Sequence, residues 1–210
     1  MRKFFLLSIF SLLFFSHSFS SDLKYLENFL KKFSGIKTFQ VNFVQIYRSS
    51  ISEEKEEGTL YYKRNMKFCW KYVKPERKEF LLIGKKAFFY VPSDSQVVVS
   101  RIDRSDFENS IFRVFESKDL GKLKEQYIIS YVGEKDGSYS YFFSPRKDVD
   151  VKNFSILIDG KTLMPKKIFL RNFDGSENIF IFANYKLNIK LKDSIFKPNF
   201  PEGTEIIYEE

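Results

Sequence analysis

The feature that most constrains this chain is an apolar period of two, repeated in short runs with turn residues between them. Phe39, Val41 and Phe43 alternate with Gln40 and Asn42, so one face of an extended segment is greasy and the other polar. The same alternation returns at Leu60, Tyr62 and Arg64, at Phe68, Trp70 and Tyr72, at Phe80 and Leu82, at Phe88 and Tyr90, and at Val97 and Val99. Pro75, Gly84-Lys85-Lys86 and Pro92-Ser93-Asp94 mark the connections, and the acidic stretch Glu53 to Glu57 reads as a solvated hairpin tip. Further strands are expected over 126–131, 139–144, 153–159, 166–171 and 178–189. A chain patterned in this way folds as consecutive antiparallel strands.

Two places break the period. Leu23, Leu26, Phe29, Leu30 and Phe33 recur at helical spacing, with Lys31 and Lys32 in the last turn and Gly35 just beyond, which predicts an amphipathic helix. Ser105 followed by Glu108 makes a capping box ahead of Phe107, Ile111, Val114 and Phe115, again at helical spacing, and a shorter helical piece is expected within 117–124. The helices interrupt one large sheet instead of forming a domain of their own. The class is therefore mainly β with helices added (α+β).

The amino terminus reads as an export signal. Arg2 and Lys3 precede an uncharged run from Phe4 to Phe19 that is shorter than the roughly 20 residues of a membrane-spanning helix, and Ser18-Phe19-Ser20 suits cleavage. Residues 1–20 are expected to be a signal peptide and residues 21–210 a single domain. Cys69 lies far from the cleavage point, so the exported chain carries no lipid-attachment cysteine there and is expected to be free in the periplasm.

Losing the leader also removes His17, the single histidine, and brings the formal net charge from +8 to +6. Without histidine there is no Ser-His-Asp triad, no Cys-His pair and no histidine-ligated metal. One cysteine forbids an internal disulfide, and nothing around Cys69 has the form of a catalytic motif. Paired acids such as Asp103 and Asp106, or Glu202 and Glu205, are too ordinary on a surface to suggest a hydrolase. The reading is therefore of a binding protein and not an enzyme, with no cofactor and no metal. The lysines are interspersed with acids and form no long basic run, which speaks against nucleic acid as a partner.

The phrases Phe39-Gln40-Val41-Asn42-Phe43-Val44-Gln45, Gly58-Thr59-Leu60-Tyr61-Tyr62-Lys63-Arg64, Lys67-Phe68-Cys69-Trp70-Lys71-Tyr72 with Pro75, Leu82-Ile83-Gly84-Lys85 and Phe89-Tyr90 occur here in a particular order and spacing. With the closing phrase from Phe196 to Ile206, this arrangement resembles the LolA family of periplasmic outer-membrane lipoprotein carriers. The resemblance spans nearly all of the chain beyond the leader. It implies an unclosed antiparallel β-barrel covered by short helices, enclosing a hydrophobic cavity for the acyl chains of a lipoprotein. It also implies acylated lipoproteins as cargo, an inner-membrane ABC exporter as donor and, where one exists, an outer-membrane receptor as acceptor, with the carrier itself monomeric. Two departures stand out: Asn65 occupies the position after the arginine where the family usually has proline, and residues 101–124 match only loosely.

On this reading Leu26 and Leu30 of the first helix, Phe39, Val41 and Phe43 of the first strand, Leu60, Tyr62, Phe68, Trp70, Tyr72 and Phe88 of the following strands, and Ile111 and Val114 of the second helix are expected to line the cavity. Arg64 shares a face with Leu60 and Tyr62. A guanidinium there suits hydrogen bonds to carbonyls at the ends of the covering helices, and the matching arginine of the family is implicated in opening and closing during transfer. The competing reading is a protein of the same fold that binds another lipid, or senses lipoproteins.

Overall fold

The computed structural model describes residues 23–102, 114–115, 117–147 and 151–209. The expected leader, the capping box at Ser105, Ile111, Asp103 and Asp106 lie outside them.

Helix α1 (Lys24–Gly35) is followed by strands β1 (Thr38–Arg48), β2 (Glu53–Lys63), β3 (Lys67–Lys74), β4 (Lys78–Ile83), β5 (Lys86–Val91) and β6 (Gln96–Arg101). After α2 (Leu120–Gln126) come β7 (Tyr127–Lys135), β8 (Ser138–Pro145), β9 (Val151–Asp159), β10 (Pro165–Asn172), β11 (Glu177–Leu187) and β12 (Glu205–Glu209). All twelve strands join one sheet, in the order β12-β6-β5-β4-β3-β2-β1-β11-β10-β9-β8-β7. The two outermost strands, β7 and β12, are not paired with each other, so the curved sheet stays unclosed. Among the described residues no helix is long and apolar enough to cross a membrane.

Local chemistry explains the hairpins. Lys135 pairs with Ser138 across Asp136-Gly137, both at positive φ (51° and 68°), the two-residue turn whose twist matches the flanking strands. Gly58 is fixed by crowding: a Cβ there would collide with the Lys71 carbonyl and stand 2.8 Å from the Phe43 ring, which lies across it.

The core occupies one face of the sheet. Leu26, Phe29, Leu30 and Phe33 of α1 are buried against it, together with Leu120 and Leu123 of α2 and the inward residues of β1, β2, β8 and β9. On the opposite face a smaller cluster forms where Phe196 covers Cys69 and Leu81, with Phe88 at its side.

Three expectations need correction. The acidic stretch from Glu53 to Glu57 is not a hairpin tip but the first half of β2, paired residue by residue with β1; the turn is made by Ser49 to Ser52. Half-solvated strands accept carboxylates on their outer positions, which is why the acids misled. The short helix begins later than expected, at Leu120, because the Asp119 side chain accepts the Gly121 amide at 2.7 Å and caps it there. The last strand, β12, runs parallel to β6 and not antiparallel.

Candidate functional site

Alternation places Phe39, Val41 and Phe43, then Leu60 and Tyr62, then Phe68 on the inner face, and all are buried in the same cluster as Leu26, Leu30 and Val114. Trp70 and Tyr72 are half-buried against it. Their rings form a continuous ribbon across four strands. Phe39 stacks on Tyr62 with centroids 4.9 Å apart, Tyr62 meets Phe68 at 5.0 Å, Phe68 stacks on Trp70 at 5.5 Å, and Trp70 meets Phe80 edge-on at 5.4 Å. Phe33 of α1 sits on the ribbon, 5.8 Å from both Phe39 and Tyr62. Offset and edge contacts of this kind follow the ring quadrupole, and they leave wide flat walls where aliphatic cores interdigitate.

A polar anchor stands beside the ribbon, where Tyr72 meets Phe43 edge-on at 5.1 Å. The Tyr72 hydroxyl donates to the Gln45 side-chain oxygen at 2.7 Å, and Lys78 Nζ lies 4.7 Å above the Tyr72 ring. Burial, aided by nearby Glu56, pushes the Tyr72 phenol up, so it stays protonated.

Phe88 does not join this wall. Ile83 pairs with Lys86 across a two-residue turn, which sets Leu82 opposite Ala87 and Leu81 opposite Phe88. Ala87 therefore faces inward, while Phe88 faces the outer cluster, 6.3 Å from Phe200. The turn length carried that information; alternation within β5 alone did not. Conversely, the far wall was not singled out from the sequence. Tyr141 and Phe143 of β8 and Phe154, Ile156 and Ile158 of β9 are buried in the same cluster, with Phe143 and Phe154 stacked at 4.6 Å. Their alternation was the available signal.

Arg64 lies just past β2, half-buried at the C-terminal end of α1. Its Nη2 donates to the carbonyls of Ser34 and of Ile36, the latter at 3.0 Å, and its backbone amide donates to the Lys37 carbonyl at 2.8 Å. The last carbonyls of a helix lack intrahelical donors and carry its negative dipole end, so one guanidinium both satisfies them and neutralises their field. This ties the end of α1 to the sheet, in addition to the stack of Tyr25 on Tyr139 of β8 at 3.4 Å. The neighbouring Asn65 has φ 70°, a conformation that proline's ring forbids and asparagine tolerates, which accounts for the absence of proline here.

Cys69 is fully buried on the other face, and desolvation, reinforced by Glu79, pushes its thiol up, the opposite of a nucleophile's environment. Glu202 and Glu205 are exposed at the far edge, and Glu205 accepts a hydrogen bond from Gln96 at 2.7 Å. Among the described residues no group of three or more His, Cys, Asp or Glu side chains is placed to hold a metal ion.

Comparison with known proteins gives this geometry a family. The chain is 25% identical to the outer-membrane lipoprotein carrier protein of Methylococcus capsulatus over 181 residues, 84% of this chain and 85% of that one. It is 28% identical to the protein of the same name from Wolinella succinogenes over 168 residues, 80% of this chain and 84% of that one. Among solved structures, an uncharacterised conserved protein from Thermus thermophilus shares the fold with a TM-score of 0.57 at 12% identity, covering 90% of this chain and 98% of that one. Residues 34–199 match the family model described as outer membrane lipoprotein carrier protein LolA, and the chain belongs to that family.

Proposed function

We propose that this protein is a periplasmic carrier that takes acylated lipoproteins as they leave the inner membrane, shields their acyl chains and delivers them to the outer membrane. The observation that carries the reading is the aromatic ribbon lying under a helix that one arginine ties down. The donor is an inner-membrane ABC lipoprotein exporter and the acceptor, where one exists, an outer-membrane receptor.

Magnitudes make the exchange workable. The four buried side chains of α1 are worth about 2 kcal/mol each, or roughly 8 kcal/mol together. An acyl chain of about 16 carbons gains roughly 12 kcal/mol on leaving water. A chain sliding between helix and sheet therefore compensates for the contacts it displaces without creating a trap. The Arg64 hydrogen bonds exist only when α1 is seated, so they favour the empty state and promote release.

The test is to incubate the purified protein with spheroplasts making acylated lipoprotein. Soluble one-to-one complexes with acylated cargo, and none with an unacylated variant, are expected. If a natively folded sample released no lipoprotein, the carrier reading would fail.

A further inference from the structure

A second opening stands beside the ribbon, at the end of the sheet where β1 begins. It has a volume of about 500 Å³ and lies between Lys32 in the last turn of α1, the β9–β10 turn, and the end of β11. A bulge shapes it: Gln40 pairs with Lys186 and Asn42 with Ala183, so Asn184 and Tyr185 together oppose Val41, with Asn184 at φ 61°. The extra residue swings Tyr185 inward, where its hydroxyl donates to the Pro165 carbonyl at 2.9 Å. With that hydroxyl engaged, Met164, Phe182 and Leu187 give the opening an apolar lining.

The rim is cationic. Lys32, Lys161 and Lys166 border it against one carboxylate, Asp159. That carboxylate is already occupied: it accepts the amides of Lys161 at 3.2 Å and Thr162 at 2.7 Å and the Thr162 hydroxyl at 2.8 Å, and it faces Lys166 Nζ at 3.7 Å. Lys166 also reaches Ser138 Oγ at 3.3 Å. Among the described residues Lys32 and Lys161 have no acidic partner within ion-pair distance. An open pocket of this size, apolar over part of its lining and bordered by two ammonium groups that no acid among the described residues pairs, matches one ligand chemistry.

We propose that this opening binds a single-chain amphiphile with an anionic headgroup, Lys32 and Lys161 holding the head while Met164, Phe182 and Leu187 take the chain. The site adjoins the ribbon at Phe39, whose ring lies 6.0 Å from that of Tyr185 and which pairs with Leu187, and it differs from the ribbon in its cationic rim. Carboxylate and phosphate heads share the required charge.

The chain's methionines provide a local probe, since Met164 lines the opening and Met66 stands in the β2–β3 turn. Methyl-labelled protein is titrated with oleate, with oleoyl lysophosphatidate and with uncharged oleyl alcohol, followed by the Met164 methyl resonance. Saturable movement of Met164 with one or both anions, and not with the alcohol, is expected, and which anion acts identifies the headgroup. K32E/K161E, two exposed surface changes, is expected to weaken the anion by about ten-fold. The single variant K161E, which leaves α1 untouched, should also bind the anion more weakly yet still release lipoprotein from spheroplasts, which keeps failure here distinct from failure of the carrier reading. The proposal is overturned if Met164 does not move, if only Met66 moves, if the alcohol acts equally well, or if the double variant binds as the parent does.

Discussion

On the proposed mechanism, Arg64 concentrates in one side chain the choice between a covered and an uncovered interior. Its two side-chain partners are carbonyls at the end of α1 and its backbone follows directly on β2, so the guanidinium bonds are lost when the helix lifts. Charge-assisted hydrogen bonds contribute about 1.5–3 kcal/mol each, enough to shift closing by at least ten-fold. Arg64→Leu should therefore fold, load cargo and fail to hand it on; a transfer assay showing normal release would remove Arg64 from the mechanism. Gly58 makes a sharper structural prediction. Any side chain there strikes the Lys71 carbonyl and the Phe43 ring, so Gly58→Ala should cost roughly 2 kcal/mol or more in a urea melt. Cys69, buried with its thiol pushed up, should resist alkylation at pH 8 until the protein unfolds.

At the scale of elements, a helix and a turn set the behaviour. The turn joining β9 and β10 is organised by Asp159, whose carboxyl is held below the usual range first by the Thr162 amide and then by the Thr162 hydroxyl and Lys161 amide. Because the folded value is depressed, the stability it gives is complete above the unfolded value of about 3.9 and disappears as pH falls through the lower folded one. The Thr162 amide resonance should accordingly titrate with a midpoint below about 3.9, and a midpoint at or above that value would contradict the arrangement. Legibility differed between elements for physical reasons. The stripe of α1 and the inward faces of β1 to β3 were readable because period fixes face. Phe88 was misassigned because its face depends on a two-residue turn, and a slip of one residue inverts a whole strand. Glu53 to Glu57 were misassigned because a strand with one solvated face tolerates acids as readily as a loop does.

For the molecule as a whole, alternation revealed strands but not neighbours. That β1 lies between β2 and β11 could not be read locally, since the second partner is far along the chain and is selected by closure of the common core. Nor did the pattern around Ile206 to Tyr208 show that β12 pairs parallel to β6. This strand is exposed on both faces yet covers the edge of β6. Deleting residues 205–210 should leave the core folded but bare the backbone donors and acceptors of β6, so light scattering should detect self-association that the parent lacks.

The gap between β7 and β12 has one more consequence. A closed barrel has a girth fixed by its strand number and stagger. A sheet whose outermost strands never meet can spread each small change of twist over all its ladders and alter its curvature without breaking a hydrogen bond. Its interior is then an elastic quantity, like the space inside a leaf spring, which suits the proposed carriage of guests of unequal bulk.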